Sequence, residues 1–239
     1  MQRINFQPIS KFERTDGQVL LVHSVFFTIQ GEGPNVGKPA VFLRLGGCNL
    51  QCPGCDTEYT EAAANEHIDS ILTRISMSFG DFGGDERLVV ITGGEPFRQN
   101  IVPLINKLFN ANYSVQVETN GTLGFEFDYL TAVASRRLQI VVSPKAGKVH
   151  PVIERFATAY KYVLSRSSID VADGLPTSVL GLPAAPARVQ DDFDGDIYVQ
   201  PADENDVVLN GQNLDVTVKS AMKFGYRLCL QTHKIIGMD

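Results

Sequence analysis

Arg87-Leu88-Val89-Val90-Ile91-Thr92 runs straight into Gly93-Gly94-Glu95-Pro96. A short apolar, β-branched run cut off by glycine and proline reads as a strand that ends abruptly. The pattern recurs outward in both directions. Val19 to His23 and Ala40 to Arg44 precede it as strand-like runs. Ser114 to Glu118, Gln139 to Val142, Tyr160 to Leu164, Ile197 to Val199 and Arg227 to Leu230 follow. Between them lie helical spacings: Ile68, Ile71, Leu72 and Ile75 within His67 to Met77, then Ile101, Leu104, Ile105 and Leu108, and later Leu214 to Phe224. Strands alternating with helix-length segments imply parallel βαβ units.

In parallel α/β folds the strand C-terminal ends share one edge, and ligands bind there. Arg44, Thr92 to Glu95, Glu118 to Asn120, Ser143 to Lys145, Gln200 to Asp203 and His233-Lys234 are therefore expected to converge. About six such ends are too few to close an eight-stranded barrel. The expectation is an α/β fold with an open, partial parallel βα barrel, a single domain over 1–239. Ser165 to Asp196 is rich in Ser, Pro, Ala, Gly and Asp, and reads as a loop or peripheral insertion with no chemistry of its own.

The chain has 239 residues, 44% of them hydrophobic, and a mean hydropathy of −0.03. A core of that size is stable without disulfides. The formal net charge is −6, with a pI near 5.2. That excludes a broad basic face for nucleic acid. No apolar run is long enough for a spanning helix, and the N-terminus lacks a secretory apolar stretch. Neither a nucleic-acid nor a membrane partner is expected. Three of the four cysteines are clustered, which makes no disulfide framework and suggests a reducing cytoplasm. Cys229, in Arg227-Leu228-Cys229-Leu230-Gln231, reads as a buried core thiol.

The clustered three are Cys48, Cys52 and Cys55, in Gly46-Gly47-Cys48-Asn49-Leu50-Gln51-Cys52-Pro53-Gly54-Cys55-Asp56-Thr57. Adjacent thiolates repel unless a cation or cluster shares their charge. A structural zinc site wants four ligands, so zinc would need a histidine or Cys229 as well. A 4Fe–4S cluster can take three and leave one iron open. The amine and carboxylate of S-adenosylmethionine suit such an iron.

Cys48-x3-Cys52-x2-Cys55 followed by Gly93-Gly94-Glu95-Pro96 resembles the radical SAM superfamily. The match narrows with Phe27-Thr28-Ile29-Gln30-Gly31-Glu32-Gly33, Phe42-Leu43-Arg44-Leu45, Cys55-Asp56-Thr57, Glu118-Thr119-Asn120-Gly121-Thr122, Ser143-Pro144-Lys145, Gln200-Pro201-Ala202-Asp203 and Gln231-Thr232-His233-Lys234. Together these resemble the 7-carboxy-7-deazaguanine synthase family of queuosine and deazapurine biosynthesis, over about residues 22 to 237 apart from the 165–196 stretch.

The resemblance implies a lyase that converts 6-carboxy-5,6,7,8-tetrahydropterin to 7-carboxy-7-deazaguanine with loss of ammonia. A 5′-deoxyadenosyl radical would take hydrogen from substrate C6. It further implies a 4Fe–4S cluster on Cys48, Cys52 and Cys55, S-adenosylmethionine, Mg2+ at Thr57, a homodimer, and an electron donor such as flavodoxin or ferredoxin. Gln30, Gly31, Glu32, Arg44, Thr92 and His233 would face the pterin. Gly54, Asp56, Gly94, Glu95, Ser143, Pro144, Lys145, Gln200 and Asp203 would face S-adenosylmethionine.

Residue chemistry agrees with several of these roles. Glu32 suits pterin N–H donors. Arg44 suits a carboxylate held bidentately, or alternatively a salt bridge. Thr57 offers magnesium one hydroxyl, although Asp56 or Thr57 alone would read as a helix N-cap. One departure stands out. Family members often carry an aromatic residue just before the third cysteine, against the adenine, and here that position is Gly54. The rival readings are an activase for a glycyl-radical enzyme and a non-catalytic zinc-binding module.

Overall fold

The structure, a computed structural model, describes residues 4–82, 84–126 and 137–238. Its strands are β1 (Val19–Ile29), β2 (Pro39–Leu45), β3 (Ala64–His67), β4 (Leu88–Gly93), β5 (Ser114–Thr119), β6 (Leu138–Val142), β7 (Ala159–Leu164), β8 (Asp196–Pro201) and β9 (Arg227–Leu228). Its helices are α1 (Ile68–Phe79), α2 (Val102–Asn110), α3 (Pro151–Phe156), α4 (Val207–Phe224) and α5 (Thr232–Ile235). The strands pair into one sheet in the order β3-β1-β2-β4-β5-β6-β7-β8-β9. From β2 to β9 every pairing is parallel. β3 and β9 lie at opposite ends, so the sheet is open, as the strand count implies.

One edge differs from the all-parallel expectation. β1 pairs antiparallel with both β2 and β3. β1 is also longer than Val19 to His23. Its register slips between Val22 and Ser24, and it then continues, with Phe26 opposite Phe42 and Thr28 opposite Ala40. A bulge breaks the period-two alternation, so the pattern ends before the strand does. β3, Ala64-Asn65-Glu66-His67, is polar and mostly exposed, and carries no strand signal of its own.

Helix packing follows the sequence closely. Ile68, Ile71, Ile75 and Phe79 of α1 are buried on one face, and His67 caps the helix by accepting from the Asp69 N–H. α4 begins at Asp206, which accepts from the N–H groups of Val208 and Leu209 at 2.9 and 3.0 Å. Such a cap contributes about 1 kcal/mol. Val207 and Val208 are exposed, so the first turns of α4 show no apolar face, and helical spacing alone detects only Leu214 to Phe224.

Alternation along the parallel strands sorts side chains between two environments. Val115 and Val117 of β5, Ile140 and Val142 of β6, and Tyr160 and Tyr162 of β7 join the large core beneath the helices. Gln116, Glu118, Gln139 and Lys161 point the other way, into a polar barrel interior. There Gln116 and Gln30 each donate to Glu118 Oε1 at 2.9 Å, and the Asn35 amide donates to both Gln116 and Gln139.

Candidate active site

A cavity of about 1050 Å3 opens at the C-terminal ends of the parallel strands. Cys48, Cys52 and Cys55 line one part of it, together with Gly94, Ser143 and Lys145. Gln30, Glu32, Arg44, Thr92, Lys161 and His233 line another.

Close backbone approach builds the cysteine end. Gly94 N–H donates to the Leu45 carbonyl at 3.1 Å, and Glu95 N–H to the Gly47 carbonyl at 3.0 Å. A Cβ on Gly94 would lie 1.8 Å from the Gly47 oxygen, so only glycine lets β4 end this close to the cysteine loop. The loop is also held from outside by an N-terminal strap. Ser10 N–H donates to the Cys48 carbonyl at 2.7 Å, and Asn5 N–H to the Pro53 carbonyl at 2.9 Å. The Asn5 amide reaches the Cys52 carbonyl at 3.2 Å, and Gln7 Nε2 the Thr57 carbonyl at 2.8 Å. Arg98, fully buried, donates to the Gly46 carbonyl at 3.0 Å and to Glu13 at 2.6 Å.

All four cysteines are free thiols. Burial pushes the Cys48 thiol up to about 12, and raises Cys52 and Cys55 as well. As bare side chains they stay protonated, and they need an electropositive centre to become thiolates. Among the described residues no set of three His, Cys, Asp or Glu side chains is gathered around the position of one ion. Cys229 lies apart with Val141, Ala159 and Tyr198; its sulfur accepts from the Gly33 N–H at 3.2 Å. Three thiols on the wall of one large cavity, with the fourth engaged elsewhere, fit a cluster with an open corner. Lys145 adds a cation beside Cys52 and Cys55. It donates to its neighbour Ser143, at 3.0 Å to the carbonyl and 2.5 Å to the hydroxyl, and burial lowers its pKa to about 8.

Charged side chains holding one another build the second end. Glu32, in the turn after β1, pairs with Lys161 of β7. Its other oxygen accepts from Gln231 at 2.9 Å and from Gln200 at 3.4 Å. Burial opposes its charge, but the Lys161 ammonium and the Gln231 amide outweigh that and hold its pKa down at about 2. Arg44 lies 5.3 Å over the Phe26 ring, which stacks on Phe42 at 5.6 Å. Its Nε is buried without a partner, a donor aimed at no protein acceptor. His233 packs against Gly31, where a Cβ would lie 2.0 Å from its Nδ1.

The chain matches the 4Fe-4S single cluster domain family over residues 29–143. A 7-carboxy-7-deazaguanine synthase of Rhodospirillum rubrum is 37% identical over 233 residues, which covers 92% of this chain and 93% of that one. Another, from Rickettsia prowazekii, is 38% identical over 231 residues, covering 94% and 91%. The chain belongs to the 7-carboxy-7-deazaguanine synthase family. Members of this family are radical SAM enzymes, and the matched domain and family together imply an iron–sulfur cluster and S-adenosylmethionine. The crystal structure of QueE from Escherichia coli shares the fold, with a TM-score of 0.64 at 22% identity over 89% of this chain and 93% of that one.

Most of the residues singled out in the sequence lie on this one cavity. Gln30, Glu32, Arg44, Cys48, Cys52, Gly54, Cys55, Asp56, Thr57, Thr92, Gly94, Ser143, Lys145, Gln200, Asp203 and His233 all line it. Gly31, Glu95 and Pro144 do not. Glu95 is fully buried and braces the end of β5, accepting from Thr119 Oγ1 at 2.7 Å and from the Asn120 N–H at 2.8 Å. Burial raises its pKa to about 7. Gly31 offers its carbonyl to the Thr232 N–H at 3.1 Å, fastening α5 over the cavity. At the mouth, Lys234 bridges Asp56 at 3.3 Å and Asp203 at 2.7 Å. Asp203 is drawn down to about 2, chiefly by that lysine.

Two wall residues, Lys161 and Leu180, escape sequence reading. Lys161 sits inside an apolar strand, and only its period-two phase betrays an inward direction. Glu118, among the strand ends expected to converge, accepts from the side-chain amides of Gln30 and Gln116 and lines the cavity. Leu180 comes from the 165–196 segment, which carries no chemical signature. Its carbonyl accepts from the Gly54 N–H at 2.9 Å, and the residue lines the cavity beside the cysteine loop.

Proposed function

We propose that this chain, acting as a single catalytic domain, converts 6-carboxy-5,6,7,8-tetrahydropterin to 7-carboxy-7-deazaguanine with release of ammonia. The observation that carries this reading is one cavity with the cysteine triad and Lys145 on one side and Glu32, Gln30, Arg44 and His233 on the other. When bound, the cluster and S-adenosylmethionine would supply radical chemistry for hydrogen abstraction at substrate C6.

The protein's own residues bind and orient. Gln30 and Glu32 accept from the amino and N–H edge of the pterin. Arg44, with its unpaired Nε, takes the substrate carboxylate. His233 and Thr92 close the substrate end. Ser143, Lys145, Gln200 and Asp203 hold the nucleoside and methionine portions of S-adenosylmethionine. Leu180 supplies the apolar surface that Gly54 cannot give the adenine. Thr57 offers its hydroxyl to Mg2+, which keeps waters for its other positions. Holding the two reactants in one cavity supplies proximity and shields the radical from quenching. The family resemblance supports a homodimer reduced by a flavodoxin or ferredoxin.

The test is anaerobic incubation of reconstituted, reduced protein with S-adenosylmethionine and the carboxypterin. The expected result is 7-carboxy-7-deazaguanine by mass spectrometry with equimolar ammonia. Cleaved S-adenosylmethionine with unchanged pterin would overturn the substrate assignment.

A further inference from the structure

We infer that Lys161 is a positioning residue that keeps Glu32 anionic, so that this carboxylate meets the substrate only as a hydrogen-bond acceptor. The inference deepens the function proposed above and rests on it. Alternation along β7 turns Tyr160 and Tyr162 toward the helices and Lys161 into the barrel, where it is 7% exposed. From there it pairs with Glu32 Oε2, spanning from β7 to the turn after β1.

An isolated carboxylate this deeply buried favours its neutral form. A neutral Glu32 would carry an O–H donor and would oppose a substrate edge made of N–H donors. The surrounding groups do not supply the missing charge. Gln200 and Gln231 are neutral amides, the Cys229 thiol is buried, and Glu118 on β5 is a second acid drawn to the same lysine. His233 on α5 is the other basic side chain acting on Glu32, and it contributes less than Lys161. Pure stability is a weak reason for such a pair, because apolar replacements of buried ion pairs are often neutral or better. Its place on the wall of a ligand cavity gives it a use.

The test compares wild type, Lys161→Met, Glu32→Gln and the double variant as reconstituted holoenzyme with S-adenosylmethionine, by carboxypterin KM and by calorimetric Kd from pH 6 to 9. The expected result is a Lys161→Met Kd and KM raised about tenfold or more at pH 7, recovering at higher pH as Glu32 ionises, with kcat at saturation largely kept. In the Glu32→Gln background the Lys161 substitution should add no further loss. A Lys161→Met enzyme with wild-type Kd and a flat pH profile overturns the inference. So does an equal added loss in both backgrounds. If Lys161→Met alone does not fold, the charge-balanced double variant decides by comparison with Glu32→Gln: equal Kd supports the inference, and a weaker double variant overturns it. A wild-type protein that neither binds nor turns over the carboxypterin rejects the function itself, a separate outcome.

Discussion

Main chain scaffolds the cysteine end of the cavity, whereas side chains scaffold the Glu32 end. Around Cys48 to Thr57, carbonyls accept from an N-terminal strap, from the Gly94-Glu95 backbone and from Arg98. The sulfurs make long local contacts, Cys48 Sγ accepting from the Leu50 N–H at 3.5 Å and Cys55 Sγ donating to the Thr57 carbonyl at 3.8 Å. Around Glu32, Lys161, Gln200 and Gln231 hold the functional group itself. Under the proposed function, the difference follows from what each end would grip. A cluster needs several sulfurs at fixed spacing, which a rigid loop provides. A polar heterocycle needs one charge held in one protonation state, which a counterion provides.

Cys52→Ala probes the first end most harshly. Turnover should vanish, and iron content should fall sharply on reconstitution; full activity with a complete cluster would break the assignment. Next comes Arg44→Ala, which should raise the carboxypterin KM at least roughly tenfold, because a charge-assisted bidentate partner is lost. S-adenosylmethionine affinity, measured separately, should hardly move. Equal losses for both ligands would mean that the two ends do not act independently.

The side-chain end predicts an acid-sensitivity that the main-chain end lacks. The folded pKa of Glu32, about 2, lies below its ordinary 4.5. Its stabilisation is therefore complete above pH 4.5 and is lost as pH falls toward 2. Thermal melts of wild type and Glu32→Gln should converge over that window. Parallel melting curves at every pH would contradict the ion pair. For the strap, Gln7→Ala removes donations to the Thr57 carbonyl and from the Tyr59 N–H. At about 1 kcal/mol per bond it should hasten cluster loss in air several-fold, read from visible absorbance, while carboxypterin affinity holds. Smallest of all, Thr57→Ala should mainly blunt the response of activity to added magnesium.

The two ends also differ in how far the sequence discloses them. The cysteine spacing and the Gly93-Gly94-Glu95-Pro96 break are local, so both the loop and the strand end it packs on can be read directly. Glu95 shows the limit of such reading. The motif is visible, but that its carboxylate turns inward to Thr119 and Asn120 depends on β4 and β5 being neighbours. Lys161 is harder still, because its partner lies 129 positions away and nothing local marks either as half of a pair. Leu180 reaches the site only because its segment folds back on Pro53 and Gly54. β1 and α4 extend beyond their sequence signals for local reasons, a bulge in one and an exposed first turn in the other.

The central claim is that both ends serve one reaction space. Electron paramagnetic resonance of the reduced cluster tests it most directly, first with S-adenosylmethionine added and then with the carboxypterin. The account predicts that the nucleotide shifts the cluster signal and that the pterin perturbs it again. A spectrum unmoved by either addition, in protein with a full cluster, would contradict it.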